Sequence, residues 1–536
     1  AGRAPVTARR EVTVSRHFLN LPVKNGAPKR RVRLRVGGAT VREFEIELAE
    51  GPPDFWAFCD VSPFRGKRLT IETEMPAGSA ALDRITLADD IAGAEDLYRE
   101  KYRPQFHFTS RRGWLNDPNG LVYAAGEYHL FYQHNPYGWA WGNMHWGHAV
   151  SKDLFHWREL PIALYPRRFD DWCFSGSAVV DEQNTSGWRH GSDPLLVCAY
   201  TSTGRGECIA YSNDLGRTWT EYDGNPVVRH KGRDPRLLWH APSKRWVMAV
   251  YDESAGGRDV AFYTSPDLKK WEYESRIAGF FECPDLYALR VDGDAHKVKW
   301  VLSAADGEYL LGQFDGRHFV KESGKHRVWY GNFYAAQTYS DAPAGRRIQI
   351  GWGNGITFPG MPFNQQMTVP CELTLRTTAE GPRLFALPVK EIERLYDGTH
   401  TWKDLTLSAG DNPLAGVKGE LLDVSADFRP AGAEKVALTL RGVPVVYDAK
   451  KQEVACQGKV APLKPRDGVV RLRMLVDRGS VEVFGNDGRV ALSVGVLVPP
   501  ENQSLALTAA GGAVKVSALT IHMLRSAWRC SGRWRP

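Results

Sequence analysis

The chain has 536 residues, of which 43% are hydrophobic and 11% aromatic, and its formal net charge is +7. A chain of this length can bury several hydrophobic cores, so we expect several domains. No apolar run reaches transmembrane length, and the basic segments near the two ends, Lys29-Arg30-Arg31 and Arg525 to Arg535, accompany no nucleic-acid motif, so neither a membrane span nor a nucleic-acid partner is expected.

The eight cysteines predict neither a metal centre nor a disulfide framework. They are scattered, with no CxxC pair and no histidine pair at ligand spacing, and His145-Trp146-Gly147-His148 matches no metal-binding signature. We therefore expect no metal and no cofactor. The chain starts with Ala1-Gly2-Arg3, and no signal segment is recognisable.

Residues 1–95 are predicted to form a small antiparallel β module. Val32 to Val36 alternate in character, Gly37-Gly38 form a turn, and Phe44 to Leu48 alternate again. The run Asp54-Phe55-Trp56-Ala57-Phe58 reads as an apolar face. Packing against a neighbouring domain is favoured for this face, and stacking on a carbohydrate chain is the alternative.

The segment Trp114-Leu115-Asn116-Asp117-Pro118-Asn119-Gly120 places an acid among turn-forming residues. Pro fixes φ, and Asn and Gly tolerate positive φ, so a turn between strands is predicted. One interpretation is that the turn holds Asp117 still to face a ligand. The other is a hairpin tip whose acid only caps its own loop.

Two further acids lie beside prolines, in Arg233-Asp234-Pro235 and in Glu282-Cys283-Pro284-Asp285. They are too far from Asp117, and from each other, to share one loop. The three acids can meet only if the fold brings separate units to a common centre.

An internal repeat predicts such a fold. Three segments begin with Ser, continue with Asp-Leu and end in Trp: Ser151 to Trp157, Ser212 to Trp219 and Ser265 to Trp271, with a looser echo at Phe314 to Phe319. Each of the three follows an apolar alternating run. Repeats of about 40–60 residues made of short strands and turns are typical of propeller blades, whose innermost strands converge on one axis.

The remaining chain predicts a second β domain. Pro388 to Leu395 reads as a short connecting helix within a linker over 388–400. From about Trp402, period-two runs such as Val470 to Val476 and Ser480 to Phe484 recur with turns between them, which favours a β-sandwich over 401–525. We expect this domain to be a scaffold without a sugar site.

Taken together, the motifs resemble glycoside hydrolase family 32, the β-fructofuranosidases that act on inulin, levan and sucrose. The resemblance extends from about Arg103 to Phe484, and the set in this order is specific although each motif alone is weak. It rests on Trp114 to Gly120, His129 to Gln133, Trp141 to Ala149, Phe174 to Ala178, Arg233 to Pro235, Glu282 to Asp285, Tyr334 to Thr338 and Leu475 to Phe484.

The resemblance implies an all-β fold, with a five-bladed β-propeller catalytic domain over 100–387 before the sandwich. It implies a retaining hydrolysis in which Asp117 is the nucleophile, Glu282 the general acid/base and Asp234 the carboxylate that stabilises the transition state. We expect Arg233 to help keep Asp234 charged. Implied contacts to the terminal fructosyl unit are Asn116, Gln133 and Ser175 as polar partners, Trp141 and Phe174 as an apolar wall, and Arg233; for Trp352, a wall role and buried packing remain equally open.

The substrate implied by the resemblance is a β-fructan, levan or inulin, and sucrose as well. Trp141 to Ala149 and Gly360 to Met367 look more like exo-acting fructanases than sucrose-only invertases, and an extracellular or periplasmic location is expected. Within the family, an endo-levanase or a fructosyltransferase remains open. From another class, a sugar-binding propeller without catalysis remains open, although three intact acids argue against it.

Overall fold

The structure, a computed structural model, describes residues 5–528; Arg529, Arg533 and Arg535 of the basic end lie outside the described residues. Forty β-strands form nine sheets over this range, and the helices there are five short 3-10 helices, with no α-helix among them, so the expected all-β fold is confirmed. None of these helices is long or apolar enough to cross a membrane. The 3-10 helices are Ser62–Phe64, Ala81–Arg84, Ala241–Ser243, Pro343–Gly345 and Lys390–Leu395.

The N-terminal part forms two small sheets around one apolar core. The first sheet has the order β1-β6-β3-β4 and the second β5-β2-β7. The predicted hairpin around Gly37-Gly38 is confirmed as β3 and β4. The strands are β1 (Pro5–Thr13), β2 (Phe18–Val23), β3 (Arg30–Val36), β4 (Ala39–Ile46), β5 (Phe55–Asp60), β6 (Arg68–Pro76) and β7 (Thr86–Ala88).

The central region, residues 113–388, contains five antiparallel groups of four strands in chain order. One extra strand, β24 (Trp329–Gly331), lies between the fourth and fifth groups, and another, β27, falls within the fifth. Strand β27 (Phe363–Asn364) joins the first sheet by pairing in parallel with its first strand. The sheets comprise β8 (Gly113–Ala124), β9 (Glu127–Asn135), β10 (His145–Ser151) and β11 (Trp157–Leu164); β12 (Cys173–Val180), β13 (Leu196–Ser202), β14 (Gly206–Ser212) and β15 (Thr220–Glu221); β16 (Gly232–His240), β17 (Arg245–Asp252), β18 (Asp259–Ser265) and β19 (Glu272–Ala278); β20 (Asp285–Arg290), β21 (Val298–Ser303), β22 (Glu308–Phe314) and β23 (Phe319–Arg327); β25 (Tyr334–Thr338), β26 (Ile348–Trp352), β28 (Cys371–Thr378) and β29 (Gly381–Pro388).

The first strands of the five sheets meet in a closed ring, because each contacts the next through a side chain. Residues far apart in sequence therefore line one centre. The contacts in order are Ser175 Oγ to Asp117 (2.6 Å) between β12 and β8, Ser177 Oγ to the Pro235 carbonyl (2.8 Å) between β12 and β16, Arg236 to Asp285 (3.1 Å) between β16 and β20, the Thr338 N–H to Asp285 (2.8 Å) between β25 and β20, and the Leu121 N–H to Gln337 (2.9 Å) between β8 and β25.

The sequence repeat marks one connection, from the third strand to the fourth strand of a sheet. In each copy the aspartate accepts backbone N–H bonds from the residues after it, and the following leucine adopts positive φ: +70° at Leu154, +54° at Leu215 and +65° at Leu268. Asp315 closes the fourth such turn in the same way. The repeat therefore reports a repeated backbone turn, as its sequence predicted.

The C-terminal part consists of two facing sheets around a shared core. The order of the larger sheet is β24-β38-β37-β36-β31-β40-β30 and that of the smaller β35-β34-β33-β32-β39. Where a helical linker over 388–400 was expected, a 3-10 helix ends at Leu395 and Tyr396 begins a strand. The strands are β24 (Trp329–Gly331), β30 (Tyr396–Leu407), β31 (Leu422–Arg429), β32 (Lys435–Leu440), β33 (Val443–Asp448), β34 (Glu453–Cys456), β35 (Lys459–Pro462), β36 (Val470–Val476), β37 (Ser480–Gly485), β38 (Val490–Gly495), β39 (Leu505–Ala510) and β40 (Val514–Leu524).

A buried ion cluster joins the central region to this sandwich. His107 lies between Asp477 and Glu482, with its Nδ1 2.8 Å from Asp477 Oδ2 and its Nε2 3.0 Å from Glu482 Oε2, and none of the three side chains is exposed. Asp477 also accepts the backbone N–H groups of Gln105 and Phe106. Charge and hydrogen bonds thus fix the chain where it enters the first central strand.

Candidate active site

The three acids singled out in the sequence lie together at the centre of the ring. Asp117 is in β8, Asp234 is in β16, and Glu282 lies just before β20. The side chain of Cys283 measures their proximity, since its Sγ lies 3.5 Å from Asp117 Oδ2 and 3.4 Å from Asp234 Oδ2.

The turn predicted around Asp117 is wrong: the segment lies inside strand β8, which is bulged. The pairing of β8 with β9 shifts register between Leu115 and Pro118, so Asp117 is left out of the ladder and points to the centre. Similar shifts occur in β12, β16 and β25, each at the end that reaches the acids. Bulges re-aim side chains next to functional sites, and they use the same Asn, Asp, Pro and Gly residues as turns.

Asp117 is held by donors on both carboxylate oxygens. Asn116 Nδ2 donates to Oδ1 at 3.1 Å and Ser175 Oγ donates to Oδ2 at 2.6 Å. Trp114 in turn fixes the Asn116 amide, because its indole N–H donates to Asn116 Oδ1 at 2.9 Å. Asp117 is partly exposed to the pocket, so it is oriented and accessible at the same time.

Asp234 is buried and its backbone is strained. Its φ is +68°, a region that aspartate rarely adopts, and its N–H is satisfied by Thr201 Oγ1 at 2.9 Å. The carboxylate accepts the backbone N–H of Cys283 at 3.0 Å. The strained backbone is therefore stabilised by contacts from two other segments, β13 and the residues just before β20.

Glu282 is paired with different groups from those around Asp117. Tyr334 Oη donates to its Oε1 at 2.9 Å, and Arg233 Nε lies 3.5 Å from its Oε2. Its φ is +58°, and its carbonyl accepts the N–H of Ala305 at 3.0 Å. The carboxyl is thus held between a phenol and a guanidinium while remaining partly open to solvent.

Burial and crowding make two of the acids hard to ionise. Burial, followed by the charge of Asp117, raises the pKa of Asp234 to about 7, and Arg233 acts in the opposite direction but is outweighed. The expectation that Arg233 helps to keep Asp234 charged is confirmed in direction, although burial and the charge of Asp117 outweigh its effect on the pKa. Burial also raises the pKa of Asp117, although the hydrogen bonds from Ser175 and Asn116 oppose that shift.

Cys283 is a neutral member of the site. Burial and then the charges of Asp234 and Asp117 raise the pKa of its thiol well above the usual value, which favours the protonated thiol over the thiolate that a nucleophile needs. Within residues 5–528, no group of three or more His, Cys, Asp or Glu side chains is arranged to hold a metal ion.

The remaining predicted substrate contacts lie at different depths. Phe174 is partly exposed, and Trp141 is 48% exposed with its ring centroid 6.1 Å from that of Phe174. Trp352 packs edge to face between Trp114 (6.1 Å) and Tyr334 (6.3 Å) and remains partly exposed. By contrast, Gln133 is 97% buried behind the site, where its amide donates to the Cys173 carbonyl at 2.9 Å.

A cleft of about 430 Å³ opens beside the acids. Phe174 and Arg233 line it, together with the β13–β14 turn and the segment before β16. Arg233, which lines this cleft, also contacts Glu282. The cleft therefore borders the site on the side of Glu282.

Sequence reasoning missed two residues that touch the acids. Tyr334 stood in a recognised motif, Tyr334 to Thr338, yet no role was read from it. Thr201, which satisfies the Asp234 N–H, carries no local signal, since it lies near the end of an ordinary strand of another sheet.

Known proteins similar to this chain are glycoside hydrolases. It is 43% identical over 503 residues to a levanase of Bacillus subtilis (83% of this chain, 74% of the relative), and 33% identical over 523 residues to an extracellular exo-inulinase of Aspergillus ficuum (80% and 96%). The solved structure of an exo-inulinase from Aspergillus awamori superposes with a TM-score of 0.73 at 31% identity, covering 80% of this chain and all of that one.

Family models match both later parts of the chain. The N-terminal domain model of glycosyl hydrolases family 32 matches residues 107–388, and the C-terminal model of the same family matches residues 391–523. Both models leave out the first 106 residues. With most of its length matched in order, and with the three acids of the resemblance gathered at one centre, this chain belongs to glycoside hydrolase family 32.

Proposed function

We propose that the protein is a retaining β-fructosidase that releases terminal β-D-fructofuranosyl residues from levan or inulin, and from sucrose. The observation that carries this is the different surroundings of Asp117 and Glu282: Asp117 accepts two oriented hydrogen bonds, while Glu282 lies between Tyr334 and Arg233. Two carboxyl groups with unlike neighbours suit a nucleophile and an acid. The levanase and exo-inulinase relatives support the substrate class.

In the proposed reaction, Asp117 attacks the anomeric carbon while Glu282 gives its proton to the departing oxygen, so the glycosidic bond breaks as the fructosyl–enzyme ester forms. Glu282, now a carboxylate, then takes a proton from water, whose oxygen attacks the same carbon and frees Asp117. Asp234 accepts hydrogen bonds from hydroxyls of the fructosyl unit, and these strengthen as positive charge develops. Asn116, Gln133, Ser175, Trp141, Phe174, Arg233 and Trp352 remain the proposed sugar-binding residues.

The same proposal assigns the architecture. The five central sheets would be the five blades of a propeller over 100–387, preceded by a module over 1–95 and followed, after a linker at 388–400, by a sandwich over 401–525. The closed ring of first strands supports this assignment. We infer an extracellular or periplasmic location, which the extracellular exo-inulinase relative supports.

Product analysis on levan, inulin and sucrose tests the function. Fructose as the sole early product from the polymers is the expected result. Oligosaccharides at early times would instead indicate an endo-levanase, and products longer than the substrate a fructosyltransferase. No release from any β-fructan would favour a binding propeller without catalysis.

Two variants test the assigned roles. Asp117→Asn is expected to abolish turnover of every fructoside, whereas Glu282→Gln abolishes turnover of fructans but spares much of the first step for fructosides with a good leaving group, which need no proton. Asp223→Asn, at an exposed carboxylate, is the matched control and retains full activity. Equal slowing of the first step by Glu282→Gln for both leaving groups would refute the acid assignment.

A further inference from the structure

A row of partly exposed aromatic rings leads outward from the acids. Phe174 precedes Ser175, which contacts Asp117, and its centroid lies 6.5 Å from Trp172. Trp172 is 5.4 Å from Trp141 and 6.2 Å from Phe169. The row therefore continues the proposed apolar wall by two rings, Trp172 and Phe169, that lie outside the recognised motifs.

Trp172 is held in place by the neighbouring β13–β14 turn, which lines the cleft. Its backbone N–H donates to Thr203 Oγ1 at 2.9 Å, and its backbone carbonyl accepts the Thr203 N–H at 3.1 Å. The adjacent Asp171 is buried and accepts a charged hydrogen bond from Arg205 at 3.0 Å. A ring mounted on such a backbone is presented rigidly beside the cleft.

The N-terminal module supports the outer end of the row. The guanidinium of Arg31 lies 3.8 Å from the centroid of the Phe169 ring, and Glu43 is placed to accept the Phe169 N–H at 3.3 Å. The guanidinium of Arg42 likewise lies 3.6 Å from the centroid of the Tyr165 ring. Tyr165 stands at the start of the loop that carries Phe169 and Trp172.

The module is also fixed to the central region next to Trp141. The Asn143 amide donates to the Glu45 carbonyl and accepts its N–H, both at 2.8 Å, which copies a strand pairing. Phe44 stacks on Tyr137 at 3.8 Å. The module therefore contacts both segments that supply the outer rings, although the family models begin only at residue 107.

We propose that Trp172 and Phe169 extend the sugar-binding surface to the fructosyl units on the leaving side of the scissile bond, and that the N-terminal module positions this surface. The inference rests on the proposed function. The leaving side is chosen because the row borders the cleft at Phe174, and the cleft ends at Arg233 beside Glu282, which protonates the leaving oxygen. Aromatic rings suit this role because they stack on the apolar faces of sugar rings.

Steady-state kinetics with sucrose, a short inulin-type oligosaccharide and long-chain levan test the proposal. For Trp172→Ala we expect KM to rise about tenfold with levan and progressively less with shorter leaving groups, while kcat is largely kept, because uniform binding is lost. Trp172→Phe should recover most of the affinity. Arg31→Ala should raise KM for levan about threefold and Arg31→Lys less, since a cation over an exposed ring contributes modestly.

Arg9→Ala is the matched control. Arg9 is an arginine of the same module that pairs with Glu72, and we expect its replacement to leave the kinetics with all three substrates unchanged. A Trp172→Ala enzyme that loses the same factor with sucrose as with levan, or loses nothing, would overturn the extended surface. An Arg31→Ala effect matched by Arg9→Ala would overturn the positioning role. If the wild-type enzyme released no fructose from any substrate, the proposed function would be refuted as well. Failure of the extended surface alone would leave the wild-type activity intact.

Discussion

His107 gives the most direct test of the electrostatics that join the domains. Burial opposes its charge, but the charge of Glu482 and the hydrogen bonds that the ring donates to Asp477 and Glu482 outweigh burial and raise the pKa of His107 to about 10. Against an ordinary value of about 6.5 in the unfolded chain, the shift corresponds to about 4 kcal/mol of stability at pH 7. A raised pKa stabilises fully below about 6.5, and this stability is lost as pH rises through about 10.

The perturbation is His107→Gln, which removes the charge but keeps a hydrogen-bonding side chain. We expect it to lower the free energy of unfolding by about 4 kcal/mol at pH 7, because Asp477 and Glu482 then lack a cation, and by much less at pH 10.5, where His107 is neutral in the wild type too. Urea unfolding followed by far-UV circular dichroism at both pH values measures this.

His145→Gln is the control for this measurement. His145 is also buried, and burial lowers its pKa to about 3, so it is neutral at both pH values and its replacement should have a pH-independent effect. If the loss caused by His107→Gln were the same at pH 7 and pH 10.5, the buried imidazolium would be refuted.

Three further changes probe the site. Tyr334→Phe removes the hydroxyl that donates to Glu282, and kcat/KM for levan should fall about tenfold to hundredfold; no change would contradict the contact. Cys283→Ala should reduce turnover by about tenfold at most, whereas a loss above about a thousandfold would make the thiol a reactant. Arg233→Gln removes a cation that lowers the pKa of Asp234, so the acidic limb of the pH profile of kcat/KM should move to higher pH, and less in Arg233→Lys.

Local patterns were sufficient to predict much of the fold. The strands over Val470–Val476 and Ser480–Gly485 were recognised from alternation, and the Ser-Asp-Leu repeat was recognised because one backbone turn needs the same residues each time. The three acids were singled out from their segments with neighbouring prolines, and their roles came from the resemblance. That the three acids meet at one ring of first strands could be predicted only by assuming that the repeated units are arranged around a common axis.

Other features were out of reach because the information lies on a different strand. Asn, Asp, Pro and Gly serve a turn and a bulge equally well, so only the partner strand β9 decides that Asp117 lies in a bulge. Thr201 supports Asp234 from the adjacent sheet, and nothing within either segment indicates the contact. Trp172 lies outside the recognised motifs, and only the fold brings it into contact with Trp141 on another segment.

The strain at the acids has a physical reason. Asp234 and Glu282 both have positive φ, and burial raises the pKa of Asp234, so backbone and charge are each held in an unfavourable state. In the proposed reaction, hydroxyl groups of the fructosyl unit donate hydrogen bonds to the carboxylate of Asp234, and such bonds favour its ionised form. Under this proposal, substrate binding offsets the repulsion between the carboxylates of Asp234 and Asp117. The acidic limb of the pH profile should accordingly lie at lower pH for kcat, which reports the complex, than for kcat/KM, which reports the free enzyme; coincident limbs would mean that Asp234 gains nothing from the bound sugar.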